Sequence, residues 1–259
     1  MTRRLGATAA AVLTLALAAC GGDGADGAPA GTDAPPSGEL TVFAAASLHV
    51  VFADLAELFT EEHAGAEVTF SFAGSADLVA QLDAGAPADV LATADETTMA
   101  HAAAAGTLAG EPRVFAENGL TLVVPSGNPA GVTGLDGSLA GAALVVCAPQ
   151  VPCGAATAAL AERADVTLSP VSEEGSVTDV LGKVTSGQAD AGLVYRTDAV
   201  TAGDAVEVVP VDGADAVVNR YPIAVTVEAT DPALAEAWVE LVLGAEGQRV
   251  LRTAGFGSP

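Results

Sequence analysis

Aromatic residues make up only 4% of this 259-residue sequence, and basic residues are scarcer: Lys and Arg total 9 against 33 Asp and Glu. A formal net charge of −24 excludes the clustered cationic surface on which nucleic-acid binding depends. Only 2 Tyr are present, too few and ill placed for a Tyr cluster that would hold a ferric ion. His49, His63 and His101 have no metal-ligand spacing and read as surface or capping groups. No Gly-rich nucleotide loop, Ser/His/Asp signature or zinc motif occurs. Hydrophobic content is 51% and mean hydropathy +0.46, yet no later stretch approaches an uninterrupted membrane span of about 20 residues. Ala and Val supply much of that content, as in an Ala-rich α/β protein.

The N-terminal residues carry a targeting pattern. Arg3 and Arg4 precede an apolar run from Ala7 to Ala19, the short h-region of a secretory signal. The run ends in Leu17-Ala18-Ala19-Cys20-Gly21, which resembles the lipobox of bacterial lipoproteins. That resemblance implies a signal peptide over 1–19 and lipidation at Cys20, with two acyl chains sufficient for stable anchoring outside the cytoplasmic membrane. Residues 21–38 are Gly, Ala, Asp, Pro, Thr and Ser and cannot bury a core, so 20–38 reads as a lipidated Cys followed by a tether.

From Glu39 onward, roughly 220 residues can bury a substantial core. Strand-like runs at Leu40–Ala45, Val68–Phe72, Val90–Thr93, Leu120–Val124, Ala143–Cys147 and Gly192–Tyr195 alternate with helical spacing. The helical stretches are Leu48–Glu62, Ala76–Ala84, Glu96–Ala105, Ala155–Arg163 and Val177–Ser186. Alternation of this kind predicts an α/β fold with parallel sheets covered by helices. A terminal helix is expected over Pro232–Ala254, with Asp231 as N-cap and Pro232 in the first turn. Strand-like segments 120–125 and 221–227 read as hinge crossovers. They divide the chain into one lobe of 39–119 plus 228–259 and another of 126–220.

Small residues recur where strands give way to helices. Ser47 and Ser75 are placed as N-caps of the first two helices. Val151-Pro-Cys153-Gly154 opens the fourth helix and Gly175-Ser176-Val177 the fifth. Helix starts present unpaired N–H groups and a positive dipole end, so converging starts can hold a small anion without a cationic side chain. An acidic protein can thereby keep a locally positive pocket, its far field screened beyond about 10 Å.

Thr41-Val-Phe-Ala-Ala-Ala-Ser-Leu48, Ser71-Phe-Ala-Gly-Ser75, Gly85-Ala-Pro-Ala-Asp-Val90, Val151-Pro-Cys-Gly154, Gly192-Leu-Val-Tyr195 and Tyr221-Pro-Ile-Ala-Val225 together resemble the molybdate-binding proteins of ABC transporters. The similarity runs in unbroken order from about Glu39 to Phe256. It implies a two-lobed periplasmic-binding-protein fold of type II, with two parallel or mixed sheets flanked by helices and joined by crossover strands. It also implies a monomer with no cofactor and no catalysis, which captures molybdate or tungstate and delivers it to a membrane permease. Carried over residue by residue, the oxyanion contacts are Ser47 and Ser75 (hydroxyl and N–H), Cys153 (N–H), Val177 (N–H) and Tyr195 (hydroxyl). The family commonly has Ala where this chain has Cys153, and Ser176 or Thr178 is the alternative to Val177. Molybdenum would enter only as the oxyanion.

Competing readings are a binder of another oxyanion such as sulfate, or a secreted hydrolase using Ser47 with His49. With Cys20 assigned to the lipobox, Cys147 and Cys153 form an even pair in an oxidising compartment, spaced for a loop-stapling disulfide. Tyr221, before Pro222, is assigned to a hinge strand. Asp95 and Glu96 read as an N-cap and first-turn acid.

Overall fold

The computed structural model describes residues 37–259. The signal segment and Cys20 lie outside the described residues. In chain order the elements are β1 Gly38–Ala45, α1 His49–Glu62, β2 Ala66–Ala73, α2 Ser75–Asp83, β3 Val90–Ala92, α3 Glu96–Ala105, β4 Arg113–Pro125, β5 Leu144–Cys147, α4 Pro152–Arg163, β6 Ser172–Glu174, α5 Val177–Thr185, β7 Ala191–Tyr195, α6 Arg196–Ala202, β8 Val206–Val209, β9 Val218–Val225, α7 Pro232–Leu243 and α8 Ala245–Thr253. None of the described helices is long and apolar enough to cross a membrane.

The strands run in the order β2-β1-β3-β9-β4-β7-β5-β6, with β8 also on β4. Pairing is parallel for β1 with β2 and β3, and for β5 with β6 and β7. The long strands β4 and β9 are antiparallel to each other and to their neighbours. β4 pairs with β9 over Arg113–Gly119, then passes into the other half and pairs with β7 and β8 over Leu120–Pro125. β4 is thus hydrogen-bonded to strands of both halves, whereas β9 pairs only with β3 and β4.

Strand alternation sorts the core. Leu40, Val42 and Ala44 of β1 join one apolar cluster, whereas Phe43 joins another with Leu78, Leu82, Leu91 and Met99. The first face is anchored by Trp238, which is fully buried and meets Phe52, Phe59 and Phe70 edge-on at ring-centroid distances of 5.6, 5.4 and 5.8 Å. Such edge-to-face contacts add to area burial. In the Ala-Pro-Ala-Asp motif, the buried Asp89 is a structural clip. Its carboxylate accepts from the Thr41 N–H at 2.7 Å, the Thr230 N–H at 2.7 Å and the Thr230 hydroxyl at 3.0 Å.

Local chemistry sets several boundaries. Asp231 caps α7, accepting from the Ala233 and Leu234 N–H groups, with Pro232 in the first turn; Asp95 caps α3 by accepting from Thr98 N–H. The expected single helix over Pro232–Ala254 is instead two, α7 and α8, divided at Gly244, whose φ of −72° and ψ of 170° are extended. Ser47 is not an N-cap: it lies within a 3-10 turn, Ala46–Leu48, that follows β1 directly. Ser75 is the first residue of α2, and Gly74 is its N-cap.

Candidate functional site

Six segments of the chain meet at one small cavity. It is lined by Ala45, Ala46 and Ser47 after β1; Ala73, Gly74 and Ser75 before α2; Ala94 after β3; Val151, Pro152 and Cys153 at α4; Gly175, Ser176 and Val177 at α5; and Tyr195 at the end of β7. Ser47, Ser75, Cys153, Val177 and Tyr195, separated widely in sequence, therefore face one space. That space leaves ≈ 20 Å³ for the centre of a water-sized sphere, a small volume lined mostly by Ala, Gly and Ser. Among the described residues no charged side chain lines it.

The donors follow from the helix starts. Ser75, Cys153 and Val177 occupy the first turns of α2, α4 and α5, where backbone N–H groups have no intrahelical carbonyl to meet. Ser176 caps α5 through its hydroxyl, which accepts from Asp179 N–H at 3.3 Å. Cys147 and Cys153 are disulfide-bonded, with Cα atoms 5.6 Å apart, so the first turn of α4 is tied to the end of β5. At Gly154 an added Cβ would stand 1.8 Å from the Ala148 carbonyl oxygen, and only glycine permits that tight return.

The hydroxyls are held from behind. Ser75 Oγ accepts from Ala94 N–H at 3.0 Å, and Ser47 Oγ lies 3.1 Å from the Tyr221 hydroxyl. Asn219 donates from Nδ2 to the Ala94 carbonyl at 2.9 Å and to the Tyr195 hydroxyl at 3.1 Å. Tyr195 and Tyr221 are fully buried, edge to face with centroids 5.8 Å apart. Burial, and for Tyr195 the neighbouring Tyr221, pushes the pKa values of both phenols upward, so both stay protonated. Tyr221 is thus a partner of Ser47 as well as a strand residue, and neither it nor Asn219 had been placed at the site from sequence. Tyr195 lines the cavity while Tyr221 does not, a distinction that residue type alone does not reveal.

The two halves touch beside the cavity. A Cβ built on Gly74 would lie 2.2 Å from the carbonyl oxygen of Gly175, so the backbones meet there without room for a side chain. His49 Nδ1 lies 3.1 Å from the Ala46 carbonyl, whereas Ser47 Oγ lies 3.1 Å from the Tyr221 hydroxyl. Among the described residues no cluster of three or more His, Cys, Asp or Glu could hold a metal ion.

Asp198 is a buried carboxylate behind Tyr195. Its Oδ2 accepts from the Tyr195 N–H at 3.0 Å, and burial pushes its pKa up to about 7 despite that bond. A carboxyl raised on folding takes up a proton, so its contribution is full below the unfolded value near pH 4 and is lost as pH rises through about 7. Denaturant unfolding of the wild type is expected to show stability falling from about pH 4 to 7, by up to about 4 kcal/mol from this group. Asp198→Asn, which keeps an acceptor for the Tyr195 N–H, should flatten that slope; an unchanged slope would assign it elsewhere.

An uncharged cavity ringed by helix starts, between two halves of an α/β fold through which one long strand runs, is the arrangement of the two-lobed periplasmic solute-binding proteins. The chain belongs to the bacterial extracellular solute-binding protein family, whose model matches residues 40–257. It is 45% identical over 252 residues to the molybdate-binding protein ModA of Mycobacterium tuberculosis strain H37Rv, covering 96% of this chain and 95% of that protein. To ModA of Escherichia coli K12 it is 33% identical, covering 88% and 93%. The periplasmic molybdate-binding protein of Azotobacter vinelandii shares the fold, with a TM-score of 0.73 at 22% identity, covering 85% of this chain and 99% of that one.

Proposed function

We propose that this protein captures molybdate, or tungstate, outside the cytoplasm and delivers it to an ABC importer in the membrane. The observation that carries the reading is the meeting of Ser47, Ser75, Cys153, Val177 and Tyr195 on one small cavity without charged side chains. The ligand contacts are the hydroxyls and N–H groups of Ser47 and Ser75, the N–H groups of Cys153 and Val177, and the Tyr195 hydroxyl. Curated relatives at 45% and 33% identity are molybdate-binding proteins, which favours molybdate over other dianions. One lobe comprises 39–119 with 228–259 and the other 126–220, and closure about 120–125 and 221–227 buries the ligand for recognition by the permease. Diacylation of Cys20 holds the monomer at the outer face of the cytoplasmic membrane. The ligand leaves chemically unchanged, so the protein is a carrier and not an enzyme.

Hydrogen-bond donors without a matching acceptor disfavour hydrogen phosphate, whose own O–H would be left unpaired. Selection over sulfate, which shares charge and shape, rests on cavity size. In isothermal titration, molybdate and tungstate are expected to bind at least about 100-fold more tightly than sulfate or phosphate, a difference of about 3 kcal/mol. Tighter binding of sulfate than of molybdate would sink the assignment.

A further inference from the structure

Every hydroxyl in a site for a fully deprotonated dianion must donate, yet a phenol or an alcohol can equally accept. Something must therefore set the direction of each O–H. For Ser75 the setting is visible: Ala94 N–H can only donate, and it occupies the Ser75 oxygen at 3.0 Å. The Ser75 proton is then free to point elsewhere. The other end of the Ala94 residue continues the pattern, since its carbonyl accepts from Asn219 Nδ2 at 2.9 Å. A carbonyl oxygen cannot donate, so the Asn219 atom facing it is the amide nitrogen and not the oxygen. The same nitrogen stands 3.1 Å from the Tyr195 hydroxyl. Its second N–H can only donate there, and a lone pair of the phenol oxygen is thereby taken.

We propose that Asn219 is a positioning residue that fixes the Tyr195 hydroxyl as a donor toward the bound oxyanion, making the site selective for anions that carry no proton. The assignment rests on the oxyanion reading above and extends it to a residue that does not line the cavity. Asn219 is buried, 125 residues from Ala94 and 24 from Tyr195, and its amide is held in orientation by the Ala94 carbonyl whether or not a ligand is present. Tyr221 is the neighbouring hydroxyl that could compete for the Tyr195 proton. A dianion oxygen is the stronger acceptor, because charge-assisted hydrogen bonds are about twice as strong as neutral ones.

The test is a double-mutant cycle by isothermal titration on the mature protein, using Asn219→Ala, Tyr195→Phe and both together, with molybdate and inorganic phosphate as probes. Asn219→Ala is expected to weaken molybdate binding about 10- to 100-fold in the wild-type background, the range for a hydrogen bond to a charged group. In the Tyr195→Phe background it should have less than about a twofold effect, since the two changes remove one interaction. Preference for molybdate over phosphate should also narrow, because a released Tyr195 can turn and accept the phosphate O–H. Asn219→Asp, close in shape, guards against simple cavity effects: an acceptor behind Tyr195 draws its proton away and weakens molybdate at least as much as the alanine change. Additive losses, or a loss that strikes both anions equally, would overturn the assignment of Asn219 while leaving oxyanion binding intact. A wild-type protein that binds neither molybdate nor tungstate overturns the oxyanion reading and this assignment with it.

Discussion

Gly74→Ala is expected to lower molybdate affinity by about 100-fold while leaving the unfolding temperature of the ligand-free protein nearly unchanged. The added Cβ would sit 2.2 Å from the Gly175 carbonyl oxygen, a contact between two backbones that no rotamer change can relieve. Overpacking of this kind costs about 1–3 kcal/mol, and a closed state disfavoured by that amount reduces apparent affinity by up to about 100-fold. The open protein avoids the clash by leaving the halves apart, so folding itself is spared. Gly175→Ala is the matched control. Its Cβ would meet only Asp77 Oδ2 at 3.7 Å, an ordinary contact, and affinity should stay within about threefold of wild type. Small-angle scattering should show ligand-induced compaction in the wild type and the Gly175 variant but not in the Gly74 variant. Wild-type affinity in Gly74→Ala would remove this contact from the closed state.

Trp238→Ala is expected to cost about 3–5 kcal/mol, the range for deleting a buried large aromatic, and to lower the melting temperature by roughly 10 °C for a domain of this size. The indole is fully buried against Phe52, Phe59 and Phe70, and few other aromatics exist to refill the space. Among the described residues its Nε1 has no hydrogen-bond partner, a desolvation cost of about 1–3 kcal/mol. Trp238→Phe removes that cost together with part of the ring, so its loss should be well under half that of the alanine change. Calorimetry on both variants checks the ratio. Molybdate affinity should be unaltered in each, because Trp238 lies outside the cavity lining.

Helix starts led by an acid were legible in the sequence, whereas the Ser47 and Ser75 starts were each placed off by a residue or more. Asp231-Pro232 and Asp95-Glu96 carry their boundary chemistry within two residues, and the structure caps α7 and α3 as that chemistry dictates. Elements without a local period were not legible. β6, Ser-Glu-Glu, is entirely polar and is a strand only because Val145–Cys147 pair with it. α6 is seven residues long and follows Tyr195 without a break, so it reads as an extension of the preceding strand. The cavity residues were reachable through motif resemblance because each sits at a strand-to-helix junction with its own signature. Asn219 has no such signature. Its role depends on two partners that only the sheet order brings to it, β9 lying between β3 and β4.

That sheet order has a mechanical side. β4 runs 13 residues, with one stretch hydrogen-bonded to β9 and the next to β7 and β8. A flexible linker would gain chain entropy each time the halves separated, and that entropy would have to be surrendered at every capture. Paired strands have little such freedom to gain. In the proposed cycle, opening and closing would therefore be elastic flexing of a common beam, leaving more of the oxyanion's hydrogen-bond energy to appear as affinity.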